Sequence, residues 1–220
     1  MRGPPLVKRL LVGVAAAALT TASLLTAPPV EAASGPPDIV RLLNQLPVRP
    51  ESNSGYSRER FDDWTTRNGC DTRERVIINE AQGGKRSGCD VRGARWWSYL
   101  DGVTTRNPST FDIDHTVALA ETWGSGAKSW KRARRDAFAN DLGYTQSLIA
   151  VSASSNRSKG ERSPTEWTPP RRAATCRLAQ AWIAVKWRWG LSVDSREKTG
   201  LARQLADCPK RVVPLPKRAN

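Results

Sequence analysis

Residues 111–115, "FDIDH", alternate apolar and polar side chains, with Phe111 and Ile113 on one side and Asp112 and Asp114 on the other. A period of two predicts a strand with one face turned inward. "SLIAVS", 147–152, predicts a second short strand, and "ASSNRSKGERSP" after it opens with small residues suited to capping a short helix that ends before Pro164. Upstream, "GARWWSYLDGVTT" predicts an aromatic β-hairpin in which Trp96 and Trp97 are packing residues. In "KSWKRARRDAFANDL" the apolar Trp130, Ala133, Ala137 and Phe138 share one helical face, Lys128, Arg132 and Arg135 gather opposite, and Ser129 is the expected N-cap. Two further helices are predicted, over 173–189 and in "DSREKTGLARQLADC", where Asp194 caps and Glu197 completes a capping box. A short helix at "DIVRLLNQL" and a proline turn at "TEWTPPRR" fill the gaps. Mixed strands and helices make the expected class α+β.

The first 32 residues depart from these patterns. Arg2, Lys8 and Arg9 precede an apolar run from about Leu10 to Leu25 and small residues at Ala32 and Ala33, which is the order of a secretory signal peptide. The run is shorter than the ~20 residues that span a bilayer. The expectation is therefore a secreted chain with no stable membrane association once the signal is cleaved. Residues 33–55 read as an N-terminal leader, 56–208 as the domain, and 209–220 as a basic, flexible tail; a monomer is expected.

Charge changes the picture more than overall composition does. The 220-residue chain carries a formal net charge of +14, which becomes +12 if Arg2, Lys8, Arg9 and Glu31 leave with the signal peptide. Such an excess favours a polyanionic partner: nucleic acid, an anionic cell wall or a membrane surface. The four cysteines, Cys70, Cys89, Cys176 and Cys208, all follow the expected cleavage point. An even count in an exported chain reads as disulfides, whose connectivity sequence leaves open among three pairings. Local pairing, Cys70 with Cys89 and Cys176 with Cys208, is favoured because each bridge would staple neighbouring elements. No CxxC pair is present, so a structural zinc site is not expected.

The sequence contains one histidine, His115, directly after Asp114. Every histidine-dependent mechanism must pass through it, because neutral imidazole is the commonest general base near pH 7. No P-loop, dinucleotide fingerprint or GxSxG elbow is present. A glycosidase-type carboxylate pair stays open, since such pairs are common. A hard cation could use one Asp and one amide, with substrate phosphate completing its shell.

"DIDH" on one strand, with a second strand leading into "NRSKG", resembles the HNH, or ββα-metal, nucleases. "YSRERFDDW", "CDTRERVI", "RWWSYLDG", "LAETWGSGAKSW", "RDAFANDL" and "SASSNRSKGERSPTEWTPP" extend the likeness to the secreted HNH endonuclease-like proteins of actinomycetes and fungi, over about 56–208. The resemblance implies a ββα-metal nuclease core with added helices, using Mg²⁺, or Mn²⁺ in its place, to hydrolyse nucleic acid, with DNA the expected substrate and little sequence specificity. It implies Asp114 and Asn156 as metal ligands, His115 as general base, Asp112 as support, and Arg157 and Lys159 as phosphate contacts. The family's middle asparagine falls at Ser147, which reaches less far, and Asn140 could take its place. That departure sustains the alternative of a decayed, non-catalytic module binding nucleic acid or cell-wall polyanion.

Overall fold

The computed structural model describes residues 1–3, 38–62, 64–209 and 211–219; the signal-peptide expectation falls almost wholly outside them. The helices are α1 Ile39–Gln45, α2 Thr72–Glu80, α3 Leu119–Gly124, α4 Arg132–Ala139, α5 Ala153–Lys159, α6 Thr175–Trp189 and α7 Ser195–Ala206. The strands are β1 Lys85–Ser87, β2 Asp90–Arg92, β3 Trp96–Trp97, β4 Thr104–Thr105, β5 Phe111–His115 and β6 Leu148–Ser152, paired antiparallel as β1–β2, β3–β4 and β5–β6.

The expected α+β class holds, and the two long-range strands pair in register from Phe111↔Ser152 to His115↔Leu148. Alternation gives the β5–β6 pair two apolar faces. Phe111, Ile113, Leu148 and Ala150 pack on Val76 and Ile77 of α2 and on Trp96. Ile149 and Val151 pack with Tyr99, Leu100, Trp167 and Leu178 of α6. β6 runs straight into α5, whose N-cap Ser152 accepts from the Ser155 N–H. This short turn fixes the helix against the strands.

α6 buries ten of its fifteen residues, as a helix apolar on most of its surface must. It carries α1 and α7, and the Cys176–Cys208 bridge ties its first turn to the residues just past α7, so these two helices run antiparallel. Cys70–Cys89 forms as expected too. Trp96 is buried, with its indole N–H donated to the Ile77 carbonyl, whereas Trp97 is partly exposed beneath Arg171.

Two expectations differ in detail. Ser129 does not cap α4: it closes a short 3-10 turn by donating to the Gly126 carbonyl, and the helix starts after Lys131. Glu197 accepts no bond at its own N-cap, because its carboxylate turns inward to Trp182 and Lys186. Residues 211–219 lie bonded to the body: Val213 is buried, Tyr144 donates to the Pro214 carbonyl, and the Ala219 N–H donates to Arg188.

The inward turn of Glu197 builds a buried charge cluster. The Lys186 ammonium, fully buried, contacts Glu51, Glu121 and Glu197, which come from three separate segments. One cation faces three carboxylates, and burial, together with Glu121 and Glu197, outweighs Lys186 to push Glu51 up to about 8. A carboxyl raised on folding contributes stability that is complete below its unfolded value of about 4.5 and is lost as pH climbs towards 8. Thermal melts from pH 5 to 8 should therefore show a falling midpoint, and Glu51→Gln should flatten that slope; parallel profiles for the two proteins would sink the assignment.

Candidate active site

Among the described residues β5 pairs only with β6, which leaves its other edge without a partner strand, and along that edge runs a cleft of about 470 Å³. Consecutive residues of a strand face opposite sides, yet Asp112, Ile113, Asp114 and His115 all line this cleft because it follows the strand's edge and end rather than one face. Asn156 and Arg157 of α5 form the facing wall, and Trp64, Arg58 and Arg73 close the rim.

His115 is held by three groups. Its Nε2 lies 2.9 Å from the Ala139 carbonyl. Its ring stacks on Trp64, with centroids 5.4 Å apart, and on Phe138 at 6.3 Å. A carbonyl can only accept, so the neutral ring carries its proton on Nε2 and leaves Nδ1 as the basic atom. Burial lowers the histidine to about 4; the Ala139 bond opposes this, and Arg58 and Lys159 add to it. The imidazole is therefore neutral at pH 7.

Ser147 does not touch the ring. Its hydroxyl donates to Asp141, whose carboxylate also receives Arg188 and Trp189, while its carbonyl accepts from the Thr116 N–H just beyond the histidine. Ser147 thus fixes the strand rather than the imidazole. Asn140 supports the site at one remove. Its Oδ1 accepts from the Thr65 N–H at 2.9 Å and its Nδ2 donates to the Asp136 carbonyl, which ties the Trp64 segment to the end of α4 beside Ala139.

Asp114 is buried, with Oδ1 3.0 Å from the Lys159 ammonium and Oδ2 lacking any hydrogen-bond partner. Burial raises its carboxyl above the usual range despite the lysine. Lys159 does not reach the surface. It is 1% exposed and its ammonium also lies 3.3 Å from the His115 carbonyl, so it braces the strand end from inside. Arg157, by contrast, is 76% exposed and only loosely paired with Asp112 at 3.4 Å. Asp112 Oδ2 also accepts from Asn156 Nδ2 at 3.1 Å, an arrangement that leaves the asparagine oxygen as its other polar atom.

A divalent ion suits this donor set. A buried carboxylate oxygen with no partner and a nearby amide oxygen are hard ligands, and Mg²⁺ keeps several waters when it binds to few protein groups. Among the described residues, two clusters outside the cleft have ligand-like spacing. In one, Cys70 and Cys89 form a disulfide beside Glu74; in the other, Lys186 already stands among the three glutamates.

Trp64, Arg58, Arg73 and the Ala139 carbonyl were not foreseen. Trp64 lies 51 positions before His115, and no spacing rule connects a stacking ring to its partner across such a gap.

Acid, amide and neutral histidine share one arginine-rimmed cleft. Residues 91–204 match the family described as GmrSD restriction endonucleases, C-terminal domain, and the chain belongs to that family. A protein of Arthroderma benhamiae, described as an uncharacterized secreted protein, is 42% identical over 170 residues, which are 76% of this chain and 83% of the relative. No solved structure matches. With its two disulfides, the chain is a secreted protein. Among the described residues no helix is long and apolar enough to cross a membrane.

Proposed function

We propose that the chain is a secreted, metal-dependent endonuclease built on a ββα-metal core formed by β5, β6 and α5, and that it hydrolyses phosphodiester bonds with low sequence specificity. The observation that carries this reading is the pairing, in one cleft, of a histidine whose tautomer leaves Nδ1 basic with a buried aspartate oxygen that has no partner. Asp114 Oδ2 and the Asn156 amide oxygen would hold Mg²⁺ or Mn²⁺. Bound there, the ion would supply charge stabilisation at the scissile phosphate and its leaving oxygen.

The protein groups do the rest. His115 Nδ1 takes a proton from the water that attacks phosphorus, and Ala139, Trp64 and Phe138 keep the ring from turning during that transfer. Asp112 orients Asn156 through its 3.1 Å bond and keeps Arg157 beside the cleft, where the exposed guanidinium can contact a phosphate oxygen. Lys159 holds Asp114 Oδ1, which leaves Oδ2 as the atom presented to the cation. Backbone contacts of this kind carry no base information, hence the expected lack of specificity.

Incubating the purified chain with plasmid, single-stranded DNA and RNA, with Mg²⁺ or Mn²⁺ and with excess chelator, should show nicking that the chelator stops, with DNA cut best. Salt-sensitive binding with no cleavage under any metal would instead identify a non-catalytic polyanion-binding module.

A further inference from the structure

Outside the cleft, the β1–β2 hairpin carries three cations, Lys85, Arg86 and Arg92, against one carboxylate, Asp90. Its strands bury almost nothing, and Lys85 stands directly opposite Arg92. Like charges across a strand pair oppose its formation, and a lone two-stranded hairpin is marginal in water. The hairpin is held by Val91, which packs against the cluster of Val76 and Ile77, and by Cys89, at its turn, which is bridged to Cys70 at the start of α2. Gly84 helps as well: at φ +83° a Cβ there would meet the Arg92 carbonyl at 2.6 Å. A stapled element that holds cations against their own repulsion calls for an anion.

Between the hairpin and α2 is a cavity of about 250 Å³ lined by Arg67, Arg75 and Arg86, with Asn68 and Asn79. No carboxylate lines it, and no ion pair engages these three guanidiniums among the described residues. Asn68, at φ +53°, and Gly69 form the tight turn between Arg67 and Cys70, so the disulfide that staples the hairpin also fixes the arginine-bearing wall opposite. The lining has forked cationic donors and neutral amides but no aromatic ring. That chemistry recognises phosphate rather than a base.

We propose that this cavity and the basic hairpin form a second phosphodiester-backbone site, which grips the nucleic acid whose scissile bond lies in the cleft; the proposal rests on the nuclease reading above. α2 lies between the two sites, with Arg73 lining the cleft and Arg75 the cavity. A helix is ~10 Å across. At ~3.4 Å of axial rise per nucleotide, this separation corresponds to about three nucleotides of one strand.

The test measures binding by the full chain to a labelled DNA duplex in excess chelator, so that nothing is cut, over a range of salt concentrations. Replacing Arg67, Arg75 and Arg86 by Gln should reduce the slope of log affinity against log salt by about 2–3, since each phosphate contact contributes ~0.9. Arg196→Gln with Lys198→Gln and Arg203→Gln removes the same charge from α7 and should change the slope by less than one contact. Equal effects from the two triple variants, or none from the first, would overturn the proposal. So would loss of teichoic acid binding with DNA binding intact. Should the triple variant melt early, Arg86→Gln alone, on the exposed hairpin, should lower the slope by about one, and an unchanged slope would count against the site. A parallel plasmid assay on the unaltered chain decides the hydrolase reading separately, because the slope is measured without cleavage.

Discussion

His115→Ala and His115→Gln are each expected to lower the rate of plasmid cleavage by about 10²–10⁴-fold, the range a positioned general base contributes, while duplex binding in chelator stays near that of the unaltered chain. The chain has no other histidine, so no second imidazole can take over. The ring's surroundings also separate its chemical role from a structural one. Trp64 and Phe138 sandwich it and the Ala139 carbonyl anchors one nitrogen, so removal could disturb packing as well as chemistry. Gln keeps most of the volume and can still donate a bond, whereas Ala leaves a gap. Equal loss of cleavage in both, with thermal melting close to normal in the Gln variant, assigns the effect to the base. Undiminished cleavage in a folded variant would remove His115 from the mechanism.

Lys186→Met is expected to have the largest effect on stability. Removing one partner from a buried ionic cluster costs ~3–5 kcal/mol, and at ~2–4 °C per kcal/mol for a chain of this size the melting midpoint should fall by roughly 6–20 °C. The loss should depend on pH. Without the ammonium, Glu51 and Glu197 lose the cation that opposes burial at each, and folding then favours their protonated forms still more strongly. Stability should recover towards pH 5 and be poorest near pH 8, so melts at the two ends of that range check the prediction. A variant as stable as the parent at pH 8 would mean that the cluster is not the tie between the leader segment, α3, α6 and α7 that its contacts describe.

Much of this arrangement was legible in the sequence because local rules decide it. Alternation placed β5, the short apolar run of 147–152 placed β6, small residues after it marked α5, and Asp194 marked the start of α7. The two local disulfides were the favoured one of three pairings that the cysteines left open. What sequence did not show depends on contacts between distant segments. Lys159, in the last turn of a short polar helix, looks like a surface cation, and only the fold reveals the buried Asp114 that draws it inward. Glu197 has the spacing of a capping partner, but a buried lysine competes for the same carboxylate and wins. The β1–β2 hairpin escaped notice because polar, exposed strands have no apolar alternation to detect.

The open edge of β5 has a consequence for how copies of this protein meet. Unpaired strand edges are templates on which a second chain can add, and natural proteins commonly guard them with positive charge. Here Arg73 donates to the Phe111 carbonyl and Lys159 to that of His115, so the edge that borders the cleft has cations on its outward carbonyls. Arg73 from the cleft wall and Lys159 from inside thereby act as gatekeepers against strand addition: a flexible polymer can lie along this edge, but another β-strand finds its docking positions taken.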